Sequence, residues 1–133
     1  MPSGYSMDDP ILGTKDLDDQ YITDAWLIDR FVGNTLLTWG INSFGGLGNG
    51  TVSYYSSPIQ IGALTNWKQV AGGFYQTASI NTDGTLWTWG TNQSGQLGTG
   101  NSTSRSSPGQ IGTDTDWVNT VTSLYSTTAI KQV

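Results

Sequence analysis

Polar and apolar residues alternate in short runs through the second half of the chain, and glycine-rich stretches interrupt them. Gln76–Asn81 and residues 85–90 flank Thr82-Asp83-Gly84. An Asp-Gly pair between two runs of β-formers predicts a hairpin. Along the second run, Thr85, Trp87 and Trp89 share one face, while Leu86 and Thr88 share the other. Both faces are rich in β-formers, as expected of a sheet held between neighbouring sheets. The glycine-rich stretches 43–50 and 93–100 predict tight turns with positive φ. A short strand is expected after Pro58 and another after Pro108. A further strand leads from Trp67 to Gly72, and its counterpart starts at Trp117.

The N-terminal third reads differently. Pro2, Gly4, Pro10 and Gly13 predict an extended course over residues 1–16. Over residues 17–32, apolar residues recur at spacings of four: Leu17 with Tyr21, Ile22 with Trp26, and Leu27 with Phe31. A short helix is expected near residues 24–32, capped by Thr23 or Asp24 and closed by Gly33. Its apolar face either packs on its own body or docks on another protein through Trp26, Leu27 and Phe31.

From residue 34 the chain is a tandem repeat. Thr35-Leu36-Leu37-Thr38-Trp39-Gly40 returns as Thr85-Leu86-Trp87-Thr88-Trp89-Gly90. Asn42, Gly45, Leu47, Gly48 and Gly50 return fifty residues later as Asn92, Gly95, Leu97, Gly98 and Gly100. Ser56-Ser57-Pro58, Gln60-Ile61-Gly62, Trp67, Tyr75 and Ile80 also have partners at that offset. In the alignment of 34–83 with 84–133, about 21 of 50 positions are identical and no gap is needed.

A repeat of this length with several short strands suggests a propeller blade. Asp83-Gly84-Thr85-Leu86-Trp87-Thr88-Trp89-Gly90, Asn92-Gln93-Ser94-Gly95-Gln96-Leu97-Gly98-Thr99-Gly100 and Pro108-Gly109-Gln110-Ile111 resemble the regulator of chromosome condensation repeat. The resemblance implies an all-β partial propeller of two blades, preceded by the arm of residues 1–33. The family typically builds seven-bladed propellers. It often carries a His before Thr-x-Ala, where this chain has Gln76 and Ser126.

Two blades leave tryptophan-rich faces without a neighbour. Residues 35–40 read as the second strand of a hairpin, and residues 127–132 as the first strand of one. Two expectations follow. Either further blades lie in a longer protein, or copies assemble head to tail through 35–40 and 127–132, three copies making a six-bladed ring.

Composition narrows the chemistry. The chain has 133 residues with no Cys and no His, which excludes Cys and His nucleophile–base pairs and His- or Cys-ligated zinc. All ten acidic residues are Asp. Seven lie before Gly33 against Lys15 and Arg30, which accounts for the net charge of −5, and the remainder is neutral. A calcium loop from Asp16, Asp18 and Asp19 would lack the central Gly and the bidentate Glu of an EF-hand. Five scattered basic residues make no nucleic-acid-binding face, and no apolar run reaches membrane-spanning length. No catalytic constellation, metal site or cofactor is expected, and the chain is read as a non-enzyme.

The residues singled out are therefore the attachment set Leu17, Tyr21, Ile22, Trp26, Leu27 and Phe31, and the repeat core Trp39, Trp67, Trp87, Trp89 and Trp117. Tyr54 and Tyr55 break the repeat and are expected in an exposed recognition loop. Asn42, Asn92, Gln60 and Gln110 are expected to satisfy backbone groups. Residues 17–36 resemble, more loosely, the leader that precedes such repeats in structural proteins of tailed bacteriophages of cyanobacteria. That resemblance implies a virion component, tail-fibre-like, attached through residues 17–32 to other virion proteins and displaying its propeller for host recognition. The alternative is a cytoplasmic propeller module for protein–protein binding.

Overall fold

The structure, a computed structural model, describes residues 33–133. The attachment residues expected in the arm, Leu17, Tyr21, Ile22, Trp26, Leu27 and Phe31, and the short helix expected near 24–32 lie outside the described residues. The body is all-β: β1 (Leu37–Gly40), β2 (Tyr55–Gln60), β3 (Trp67–Gly72), β4 (Gln76–Asn81), β5 (Leu86–Gly90), β6 (Arg105–Gln110), β7 (Trp117–Thr122) and β8 (Thr127–Lys131). All pairings between these strands are antiparallel, and an isolated parallel bridge joins Asn34 to Asn66. The strands form a two-stranded sheet β1-β2, a four-stranded sheet β3-β4-β5-β6 and a two-stranded sheet β7-β8.

The sequence repeat and the sheet are thus offset by half a unit. Repeats 34–83 and 84–133 do not each fold into a blade. They produce one complete blade spanning the repeat boundary, with a half-blade on either side. The reason is the turn at the boundary. Thr82-Asp83-Gly84 joins the last strand of one repeat to the first strand of the next, and the two pair with each other. Ser79 faces Trp87 and Ile80 faces Leu86.

Local chemistry fixes that turn. Gly84 has φ +81, and a Cβ there would overlap the Thr115 carbonyl. The Asp83 carboxylate accepts from the Thr85 amide at 3.2 Å and from the Thr85 hydroxyl at 2.7 Å. The Trp87 indole N–H donates to that hydroxyl at 2.8 Å. The Thr85 hydroxyl and amide hold the Asp83 carboxyl below its ordinary value of 3.8.

Two strands begin earlier than the sequence suggests. β2 and β6 contain Pro58 and Pro108 rather than following them. Each is the outer strand of its sheet, where a missing N–H costs no ladder bond. The pairing of β1 with β2 shifts register between Thr38 and Gly40, and that of β5 with β6 between Thr88 and Gly90. Gly40 and Gly90 have φ of 115° and 108°. In each case the extra residues lie on the partner strand, within Ser56–Pro58 of β2 and Ser106–Pro108 of β6, opposite the repeated Trp-Gly pair.

The core sits between sheets. Leu36, Ile61, Trp67 and Trp89 form it, with Ile59 and Trp87 packed against them. Trp67 meets Trp89 and Trp87 edge-on, at centroid distances of 5.9 and 6.2 Å. Leu36 and Ile61 come from the first half-blade, and the tryptophans from the complete blade. On the other side β3 and β4 lie against β7. There the Gln69 amide donates to the Thr120 carbonyl at 2.9 Å.

Two outcomes follow from the turn. Gly84→Ala is expected to lower stability by more than about 1 kcal/mol. Gly72→Ala, in open space with no positive φ, should be neutral or stabilise slightly; urea midpoints read both. Asp83→Ala is expected to cost about 0.5 kcal/mol at pH 7, as suits an exposed turn. Because folding lowers the Asp83 pKa, its contribution is present above the ordinary carboxylate range and is lost as pH falls through the folded value. The gap between variant and parent midpoints should therefore narrow as pH falls below the ordinary carboxylate range.

Candidate interaction surface

Each glycine-rich loop is organised by one buried Asn. The Asn42 side-chain amide donates to the carbonyls of Thr51 at 2.9 Å and Ser53 at 3.0 Å, and its oxygen accepts from the Leu47 amide at 2.9 Å. Asn92 repeats the pattern with Asn101, Thr103 and Leu97. Gln60 makes only a local bond, to the Gly62 carbonyl. The loop held by Asn42 forms a cradle for the next blade. The Trp89 indole N–H donates to the Gly46 carbonyl at 2.9 Å, and the Thr77 hydroxyl donates to the same oxygen at 2.8 Å. The ring lies so close over Gly48 that a Cβ there would stand 2.7 Å from the indole nitrogen.

The five tryptophans expected in the repeat core divide. Trp89 is fully buried and Trp67 nearly so, while Trp87 and Trp117 are half-buried. Trp39 is the correction: it is 58% exposed, although its repeat partner Trp89 is 0% exposed. Identical residues on equivalent strands differ because Trp89 has a preceding glycine cradle and Trp39 has none among the described residues. The same contrast appears at the other end, where Ile80 is 0% and Ile130 58% exposed. There β7-β8 is a sheet of two strands among the described residues, where the complete blade has four.

Tyr54 and Tyr55 also separate. Tyr54 is exposed in the loop, and its hydroxyl pairs with that of Ser43 at 2.8 Å. Tyr55 is half-buried and opens β2 rather than belonging to the loop. The two therefore form no joint recognition element.

The structure gathers a different aromatic group. Phe44 from the first glycine-rich loop packs on Tyr75 at 4.9 Å, Phe74 packs on Tyr75 at 4.2 Å, and Phe74 meets Tyr125 edge-on at 6.4 Å. Phe74 and Tyr125 sit in the turns between β3 and β4 and between β7 and β8, and both are largely exposed. Phe44, Phe74, Tyr75 and Tyr125 line a small cavity of about 160 Å³ with Gln93 and Gln96. Gln76 ties the two turns together: its side-chain amide donates to the Ser123 carbonyl at 2.8 Å. Sequence reasoning missed Phe44 and Phe74. The available signal was apolar residues at turn positions, Phe74-Tyr75 and Leu124-Tyr125, where polar residues are expected.

Electrostatics at this surface are quiet. The described residues hold three Asp and three basic side chains. Lys131 pairs with Asp114 at 2.6 Å and stands 5.5 Å from the Trp117 ring centroid. Its ammonium pKa is raised, chiefly by the hydrogen bond to Asp114. No group of three His, Cys, Asp or Glu that could hold a metal ion occurs among the described residues. No described helix is long and apolar enough to cross a membrane.

The contrast between the two tryptophans predicts unequal mutational costs. Trp89→Ala is expected to destabilise the body by about 3–5 kcal/mol, and Trp39→Ala by less than about 1 kcal/mol under conditions where the chain is monomeric. Thermal unfolding at high dilution reads the difference.

Family models and solved structures bear on this geometry. The regulator of chromosome condensation (RCC1) repeat matches residues 34–80 and 83–129, and a second model of that repeat matches residues 67–96. No curated protein sequence matches the chain significantly. Among solved structures, Prp20p from Saccharomyces cerevisiae superposes with a TM-score of 0.66 at 18% identity, over 74% of this chain and 27% of that one. Human WBSCR16 gives 0.61 at 23% identity, over 75% and 27%. Yeast RCC1 (Prp20) bound to Kap60 gives 0.65 at 17%, over 73% and 26%. The chain thus spans about a quarter of the length of these structures, and the likeness shows the fold. With two matched copies covering most of its length, the chain belongs to the RCC1 repeat family.

Proposed function

We propose that the chain is a non-catalytic protein–protein interaction module, which binds through the aromatic rim of Phe44, Phe74, Tyr75 and Tyr125. The observation that carries this reading is the interlocked aromatic group, exposed at Phe74 and Tyr125 and half-buried at Phe44 and Tyr75, on turns that Gln76 holds in place. Rigid aromatic anchors with little charge around them are what protein interfaces use at their centres. The solved relatives support it by analogy: Prp20p was studied for binding to Gsp1p and histones, and yeast RCC1 was seen bound to Kap60. The uncharged surface here favours a partner recognised by apolar contact over a nucleic acid.

The finer reading places this module on a virus particle, held by residues 17–32. It is supported by the acidic-apolar sequence of that segment and its looser resemblance to phage leaders; a cytoplasmic setting is the alternative. Deleting residues 1–33 is then expected to abolish incorporation into particles while the far-UV β spectrum of the body persists.

The rim is tested by the double variant Phe44→Ser, Phe74→Ser. Binding to a partner captured by the parent chain is expected to weaken by tenfold or more, about 1.4 kcal/mol or greater, with the circular dichroism spectrum unchanged. Unaltered affinity in a folded variant would remove the rim from the interface.

A further inference from the structure

We propose that the cavity beside Ser94 receives one neutral aromatic side chain, Phe or Tyr, of a partner protein, packed on Tyr125 as Phe44 is packed on Tyr75. The proposal rests on the interaction-module reading and names what that partner inserts into the rim.

Four loops bound the cavity, and each is carried at both ends by a described strand: the loop between β1 and β2, the β3–β4 turn, the loop between β5 and β6, and the β7–β8 turn. Its volume of about 160 Å³ suits a single ring, since an apolar cavity of about 150 Å³ holds one benzene. No Asp, Lys or Arg lines it, so a charged occupant would lose hydration without gaining a counter-ion. The frame is fixed before anything enters. The Thr91 amide donates to the Tyr75 carbonyl at 2.9 Å, and the Ser94 amide donates to the Gln96 side-chain oxygen at 2.9 Å. The Gln76 amide holds the Ser123 carbonyl, and Gly73 lets the two turns close up, since a Cβ there would stand 2.7 Å from that same carbonyl. A frame so fastened loses little conformational freedom on binding.

The internal repeat shows what the occupant replaces. Tyr125 is the repeat partner of Tyr75, and Ser94 that of Phe44. In the first repeat the Phe44 ring packs on Tyr75 with centroids 4.9 Å apart. In the second, Ser94 brings no ring to Tyr125, whose aromatic contact among the described residues is the edge of Phe74 at 6.4 Å. The difference is a substitution within the chain, at a loop position flanked by β5 and β6. A phenyl or phenol ring entering beside Ser94 restores the pair that Phe44 makes in the first repeat, and aromatic pairs are favourable beyond the area they bury. Thr91 and Gln93 line the same space and offer a hydroxyl and an amide to the polar atoms that accompany the ring. An aromatic wall could also hold a quaternary ammonium, but the absence of a lining carboxylate and the Phe44 precedent favour the neutral ring.

NMR titration of the full 133-residue chain tests this with four probes: N-acetylphenylalaninamide, N-acetyltyrosinamide, N-acetylleucinamide and tetramethylammonium chloride. The aromatic probes are expected to give saturable shifts at the Thr91 methyl, the Ser94 amide and the Tyr125 ring. The leucine probe should bind about threefold to tenfold more weakly, the difference that aromatic pairing supplies. Equal affinity for the leucine and aromatic probes, or tighter binding of tetramethylammonium, overturns the proposal. Ser94→Phe supplies the ring from within and is expected to abolish the saturable shifts while the circular dichroism spectrum persists; Ser94→Ala should leave them in place. Aromatic probes that still bind folded Ser94→Phe overturn the proposal. The rim reading is separated by a partner captured by the parent chain. Ser94→Phe is expected to weaken that partner by about tenfold or more. If it leaves the affinity unchanged while Phe44→Ser, Phe74→Ser weakens it, the cavity proposal falls and the rim stands; if neither variant weakens it, both fall.

Discussion

The seating of the Trp89 indole over Gly48, with its N–H on the Gly46 carbonyl, is the interaction on which the rest depends. A four-stranded sheet of β-formers has two faces to cover, and neither is covered within the sheet. The glycine-rich loop of one repeat provides a flat, exposed backbone carbonyl, and the aromatic strand of the next provides a ring that fills the space and satisfies it. Asn42 makes the loop rigid enough to serve, since its side chain holds both ends of the loop together. Full burial of a ring of about 250 Å² is worth about 6 kcal/mol by area.

The same constraint explains why identical residues differ so widely in exposure. Trp39 and Trp89, like Ile130 and Ile80, have equivalent strand positions and differ only in what stands beside them. Stability in such a stack is therefore a matter of nearest neighbours, as in other repeat architectures. The complete blade is the protected part, and the half-blades carry the exposed apolar residues Leu37, Trp39 and Ile130.

Much of this was legible in the sequence. The fifty-residue echo pointed to the fold class, and the turn residues Asp83-Gly84 to the hairpin. The half-unit offset between repeat and blade was not visible in the alignment itself, because the repeat can be phased anywhere; the pairing across Asp83-Gly84 decides it. Trp39 was expected in the core because its sequence context matches that of Trp89, and sequence context does not record whether a neighbour is present. The rim of Phe44, Phe74, Tyr75 and Tyr125 was hidden for a different reason. Its members come from three separate turns, and Ser94 stands where the second repeat would have continued the pattern of Phe44. The proline strands were misplaced because edge position, which makes Pro58 and Pro108 tolerable, belongs to the sheet and not to the local sequence.

The most direct test of the cradle is hydrogen exchange at the tryptophan indoles, followed by nitrogen-edited NMR. The Trp89 indole proton is expected to exchange only through opening of the stack, orders of magnitude more slowly than that of an exposed indole. Exchange of the Trp89 proton at the rate of a free indole, in a chain whose strand amides remain protected, would contradict the account.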